Sequence, residues 1–277
     1  MSEKHWSLDD IAWDRFDRAL VDPEILKIAK AAALVEYNSS DYADYLCNVF
    51  PDDEVFKKEA RRWAVEEIQH GEVLGRWAQM ADPDFDFDGA VERFRAGYRI
   101  PVEATSSVRG SRSGELVARC IVEVGTSSYY GSLADSTEEP VFREICQRIA
   151  ADELRHYKLF YSHLRRYLER EKISRVRRFL IAVGRMHETE DDELAYAYYA
   201  ANAPTDEGYD RKRWGSEYMV RAYGYYKPIR VQRASAMICK AAGLNPQGRM
   251  AQIMAKAAYG LMKRRHKRLS TRPALAA

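Results

Sequence analysis

Two short stretches of the chain carry the same pair of side chains at the same spacing. Glu66-Glu67-Ile68-Gln69-His70 and Asp152-Glu153-Leu154-Arg155-His156 each contain Glu-x-x-His. On a helix that spacing sets a carboxylate and an imidazole on one face, about one turn apart. The residues sharing the face are apolar: Phe56, Ala60, Trp63, Leu74 and Trp77 around the first pair, Phe142, Ile145, Cys146, Ile149, Phe160 and Tyr167 around the second. An ionised side chain inside an apolar stripe is costly unless it is paired or metal-bound. Two more acids read the same way. Glu36 sits among Ile25, Ala29, Ala32, Ala33, Ser40 and Ala43, and Glu123 among Val117, Cys120, Thr126 and Ser127. Four such carboxylates carry the negative charge that two divalent cations neutralise. Hard oxygen ligands with one imidazole per metal suit iron or manganese better than a structural zinc site.

These six residues need four helices to present them. Apolar residues recur at three- and four-residue spacing nearly throughout, and alternating β-rich runs are scarce. The spacing predicts a helix over Pro23–Val49, with Asp22 as cap and Pro23 at the first position. A second helix follows Pro51-Asp52-Asp53 and lasts to about Met80. A connection over 81–112 contains a short amphipathic piece around 90–98. A third helix covers about Ser113–Asp135, and a fourth runs from beside Pro140 to about Lys172. Two helical pairs joined by one long crossover is the connectivity of an all-α, ferritin-like four-helix bundle. One Glu from each of two helices and Glu-x-x-His from each of the other two is the ligand set of di-iron or di-manganese carboxylate bundles. In that pattern Glu67 and Glu153 bridge, while Glu36 with His70 and Glu123 with His156 each complete one metal. Separations of 31 residues from Glu36 to Glu67 and 30 from Glu123 to Glu153 suit two antiparallel hairpins. Glu66 and Asp152 read equally well as partners for imidazole N–H groups or as plain surface acids. His5, His163, His187 and His266 lack a partner pattern and read as surface residues.

Beyond the fourth helix, two or three helices are expected within 174–226, where tyrosines crowd and read as packing rather than as a radical relay. Two more follow, about Pro228–Ala242 and Pro246–Leu269, split by Gly243-Leu244-Asn245-Pro246. The division expected is a metal-binding domain over 1–226, its core at about 23–172, and additional C-terminal helices over 227–277 packed on the same domain.

Over about residues 24–170 the chain resembles the soluble acyl-carrier-protein desaturases. The resemblance is closest in Ile149-Ala150-Ala151-Asp152-Glu153-Leu154-Arg155-His156, in Glu66-Glu67-Ile68-Gln69-His70-Gly71 and in the Glu-x-x-Thr from Glu123 to Thr126. It implies a di-iron, oxygen-dependent oxidoreductase acting on C–H bonds of an acyl chain, with Thr126 near the dioxygen site helping to manage its protons. It also implies an acyl carrier protein or other acyl substrate and a homodimer. No flavin, haem or ferredoxin motif is visible, so electrons must come from an external donor such as a ferredoxin. An apolar channel lined by residues such as Phe142 and Phe160 is expected to hold the substrate. A related di-iron hydroxylase, an iron-oxidising ferritin-like protein and a non-enzymatic bundle are the other classes compatible with the pattern.

Composition bounds the rest. A chain of 277 residues, 46% hydrophobic and 31% charged, has ample material for a globular core and is not a disordered composition. No run approaches the length of a membrane-spanning helix, the first residues show no apolar signal segment, and the four cysteines are scattered without a CxxC pair, so a reduced cytoplasmic protein is expected. The formal charge of +2 hides an asymmetry. From Arg221 onward there are 13 Lys or Arg and no Asp or Glu, against 31 basic and 42 acidic residues before it. Such a tail suits docking to an acidic protein, peripheral contact with anionic lipid, attraction to nucleic acid, or packing on the acidic body.

Overall fold

The computed structural model describes residues 5–188, 192–204 and 206–271, and among these every regular element is helical. The helices are α1 (Pro23–Tyr37), α2 (Ser39–Val49), α3 (Glu54–Ala81), α4 (Phe87–Gly97), α5 (Arg112–Ala134), α6 (Pro140–Glu171), α7 (Arg175–Glu188), α8 (Asp192–Asn202), α9 (Arg211–Tyr225), α10 (Pro228–Ala241) and α11 (Arg249–Ser270). No helix among the described residues is long and apolar enough to cross a membrane.

Helices α1, α3, α5 and α6 begin where side-chain oxygens can satisfy their first N–H groups. Asp22 accepts from the Glu24 and Ile25 amides, Asp53 from Phe56, Ser111 from Gly114, and Glu139 from Val141 and Phe142. Glu139 is fully buried and also accepts from the Trp77 indole N–H at 2.8 Å, so one carboxylate starts α6 and ties it to α3.

The helix expected over Pro23–Val49 is two helices. At Asn38 the backbone leaves the helical region (φ −89°, ψ 11°) and α2 starts afresh. Asn and Ser side chains compete for backbone groups that a continuous helix would use. Here Ser39 Oγ donates to the Glu36 carbonyl at 2.6 Å, while buried Asn38 accepts from Arg95 Nε at 3.1 Å. The chain therefore turns two residues after Glu36. The final helix also begins later than Pro246. Gly243 (φ 79°) closes α10 with its N–H on Lys240 O and the Leu244 N–H on Cys239 O, a Schellman ending that glycine's freedom allows. Asn245 then turns the chain by accepting from the Gln247 amide, which delays α11 to Arg249.

α1 packs on α3, α5 on α6, and α3 meets α6. α8 lies on α1, α9 on α8, α10 on α5, and α11 on α9 and α10. The interior is two apolar clusters. One holds Leu74, Trp77, Phe142, Ile145 and Ile149; the other holds Phe56, Trp63, Leu116, Phe160 and Leu164. Along α3 and α6 the segments between them are the two Glu-x-x-His turns, so a polar layer is sandwiched between dry cores. The crowded tyrosines are packed: Tyr198 is fully buried against Trp214 and Tyr218.

Candidate metal centre

Glu36 projects from α1, Glu67 and His70 from α3, Glu123 from α5, and Glu153 and His156 from α6, and all six are buried. They fall into two groups of four. Glu36, Glu67, His70 and Glu153 each offer one ligand atom within 4.8 Å of the others, and so do Glu67, Glu123, Glu153 and His156. Glu67 and Glu153 belong to both. The site residues read from the sequence are thus brought together, in the arrangement where those two carboxylates lie between two positions.

Both imidazoles turn the same nitrogen inward. His70 Nδ1 lies 3.3 Å from Glu67 Oε2 and 3.5 Å from Glu153 Oε1. His156 Nδ1 lies 2.9 Å from Glu67 Oε1 and 3.6 Å from Glu123 Oε2. The outer nitrogens are held by the acids that precede the bridging positions, each from the opposite helix. His70 Nε2 is 3.1 Å from Asp152 Oδ2, and His156 Nε2 is 3.0 Å from Glu66 Oε2. Of the two readings open for Glu66 and Asp152, these contacts select partners of the imidazoles.

Burial and mutual repulsion set the protonation of this cluster. Burial, then the Glu67 carboxylate, drives Glu36 well above the usual carboxylate range. Burial also raises Glu123, with Glu153 and Glu67 adding to it. Glu67 moves the other way: burial opposes its charge, but His156 and His70 outweigh that and hold it well below the ordinary value. Burial likewise opposes a charged imidazole, yet the surrounding carboxylates raise both His70 and His156 well above their usual range. Asp152 is held far below the carboxylate range by His70 and Arg155 despite its burial.

The donor atoms fit metal ions better than they fit one another. Glu123 Oε1 and Oε2, Glu153 Oε1 and His156 Nδ1 are buried with no hydrogen-bond partner, although His156 Nδ1 is close to Glu67. Buried polar atoms are normally satisfied, and leaving a charged one unmet is costly. Three carboxylate oxygens and one imidazole nitrogen gathered in this way are a donor set that could hold a cation.

Further side chains contact these ligands. Thr126 Oγ1 donates to Glu153 Oε2 at 2.6 Å, and Tyr130 donates to Glu36 Oε1 at 2.5 Å. Tyr130 lies seven residues after Glu123 on the same face of α5, a signal the spacing contained. The N-terminal segment covers the site in a way no local pattern encodes. Trp6 stacks on His70 with ring centroids 6.0 Å apart and donates its indole N–H to Asp152 Oδ2 at 2.7 Å. His5, expected at the surface, is half-buried with Nε2 2.9 Å from the same oxygen. His163, also expected at the surface, is buried and paired with Glu59. His266 is partly buried on the Val220 carbonyl, and the His187 side chain lies outside the described residues.

Phe142 and Phe160, expected to line a channel, do not line the cavity that reaches the cluster. Phe142 packs on Trp77 with centroids 4.1 Å apart, and Phe160 on Trp63 at 5.5 Å; both are fully buried. An apolar stripe encodes burial, and here neighbouring rings fill it. A cavity of about 70 Å³ reaches the cluster from another side, between α1–α2 and α5, against Glu36, Glu67, Glu123, Thr126, Tyr42 and Arg119.

No protein-family model matches the chain, and no curated protein matches it.

Proposed function

We propose that the chain is a ferritin-like di-iron carboxylate protein that uses dioxygen to oxidise C–H bonds of an acyl chain, most simply as a fatty acyl desaturase. In this reading α1, α3, α5 and α6 are the four helices of the bundle, the segment through α4 is its crossover, and α7–α11 are the extension. One observation carries the metal half: two buried groups of four donors share Glu67 and Glu153, and several of their atoms have no hydrogen-bond partner. The acyl half rests on the resemblance of the two Glu-x-x-His helices and of Glu123–Thr126 to the desaturases.

When bound, two iron ions supply dioxygen activation and hydrogen removal from unactivated C–H bonds, chemistry no side chain performs alone. The chain's own residues do the rest. Asp152 and Glu66 hold the Nε2–H groups of His70 and His156 and so keep Nδ1 directed inward. Glu67 and Glu153, which belong to both groups of donors, would be shared between two cations, and Glu36 and Glu123 would each help hold one. Thr126 holds a proton at the cavity wall, on Glu153. The packed aromatic layers on either side keep water out. Electrons come from an external donor such as a ferredoxin, and the acid-free run from Arg221 onward suits an acidic donor or carrier. The four cysteines are free and buried, in keeping with a cytoplasmic protein.

The test is oxygen consumption by the reduced, iron-loaded chain with and without long-chain acyl substrates, free and carrier-linked, with mass spectrometry of the acyl product. Faster consumption with loss of two hydrogens supports desaturation, and gain of one oxygen assigns hydroxylation instead. Iron oxidation with the acyl chain unaltered sinks the acyl reading and favours an iron-oxidising protein.

A further inference from the structure

Arg119 lies one helical turn before Glu123 on α5, and its side chain is 9% exposed. A guanidinium carries five N–H donors and stays charged, so inside a protein it is normally clasped by oxygens. Arg119 is not. Its Nε has no hydrogen-bond partner, and the carboxylate oxygen paired with it, Glu115 Oε1, is 3.9 Å away. Glu115 is engaged elsewhere, accepting from Tyr45 and Ser107 at 2.9 and 2.7 Å. Arg109 shows the contrast: its Nε is also unpaired, but both its terminal nitrogens grip Glu188.

What holds Arg119 in place is the ring of Tyr42, whose centroid is 5.1 Å from the guanidinium carbon. The Tyr42 hydroxyl donates to Glu193 at 2.7 Å, so that acid already has a partner. Arg185 lines the same cavity, again with an unpaired Nε, and its acid Glu188 is the one shared with Arg109. Two guanidinium groups therefore border the space that ends on Glu67, Glu123 and Glu153.

We propose that Arg119 binds the carboxylate of a free monocarboxylic acid, which enters the cavity between α1–α2 and α5 and turns the carbons next to its carboxylate toward the metal ligands. A planar guanidinium fork matches a carboxylate with two parallel hydrogen bonds. The rise from Arg119 to Glu123 is about 6 Å along α5, so the carbons next to the carboxylate are the ones set beside Glu123 and Thr126. A thioester-linked chain has no anionic oxygen to offer there. The substrate is then a free acid rather than a carrier-bound one. This assignment of substrate class rests on the di-metal reading of the cavity floor.

Calorimetric titration of the iron-loaded chain with butyrate and with butyramide tests it, since the two differ in charge and little in shape and are short enough for the cavity. Iron content is measured on the same samples, and the titrations are repeated on metal-free chain, so a failure of the metal reading appears separately from a failure at Arg119. Butyrate is expected to bind at least tenfold more tightly than butyramide. Arg119→Gln should abolish that preference, Arg119→Lys should keep part of it, and Arg230→Gln, at the surface pair with Asp135, should leave it unchanged. Circular dichroism melting verifies that the variants are folded. Equal affinity for acid and amide, or an undiminished preference in folded Arg119→Gln, overturns the proposal and makes Arg119 a charge satisfied by water.

Discussion

Asp152 on α6 reaches across to His70 on α3, 82 residues earlier in the chain, and sets its Oδ2 at 3.1 Å from the imidazole Nε2. Glu66 on α3 does the same for His156 on α6. Each helix thus orients the imidazole of the other. Asp152→Asn keeps the shape but removes the charge behind His70. Outer partners of metal-binding imidazoles typically contribute roughly 10–100-fold in affinity. Iron affinity should fall by about that factor in chelator competition, and the metal-free chain should also melt at a lower temperature, because the Asp152 carboxylate pairs with Arg155 as well as His70. Unaltered affinity would make Asp152 a plain structural acid.

Metal binding should release protons. In the metal-free chain Glu36, Glu123, His70 and His156 all titrate above their ordinary values. A group with a raised pKa keeps its proton to higher pH, and a cation must displace it to bind. Affinity therefore rises with pH. At least about one proton per cation, or tenfold in affinity per pH unit, is expected between pH 6 and pH 8 by competition with a chromophoric chelator. A flat profile would mean that the cations bind elsewhere.

Gly71 follows His70, and a Cβ there would meet the Tyr37 Cβ and backbone nitrogen at 2.6 Å. Backbone cannot give way as a flexible side chain can, so Gly71→Ala must push α3 from α1 beside Glu36. Overpacking of this kind costs about 1–3 kcal/mol. Denaturant unfolding should show that loss, and iron affinity should fall with it. A variant as stable as the parent would contradict the close approach.

Thr126 Oγ1 lies closest to Glu153 Oε2, at 2.6 Å, with the helix carbonyls of Val122 and Glu123 at 3.2 and 3.0 Å. Thr126→Val keeps the volume and removes the proton. Iron content should hold, while substrate-dependent oxygen consumption should fall on the order of 100-fold, the scale of a lost proton-transfer group. Unchanged turnover would reduce Thr126 to a packing residue.

What was readable in the chain follows from the range of each interaction. Glu67, His70, Glu153 and His156 were legible because a helical turn couples type to spacing, and Glu36 and Glu123 because a lone acid in an apolar stripe stands out. The break at Asn38 was local too, but a polar cap inside a periodic pattern looks like tolerated surface. Trp6 and His5 meet Asp152 across almost 150 residues, and no spacing rule reaches that far. Phe142 and Phe160 resemble channel walls in the sequence because an apolar stripe marks an interior, and only packing decides whether that interior is filled. Arg119 shares its face with Glu123, yet an arginine on a helix ordinarily reaches solvent, so its burial was hidden.

The most direct measurement is the iron content of the purified chain by elemental mass spectrometry, beside Glu67→Ala, which removes a carboxylate belonging to both groups of donors. Two irons per chain are expected in the parent, with loss of both in Glu67→Ala. Fewer than about one iron per chain, unchanged by Glu67→Ala, would contradict the metal centre and the function built on it.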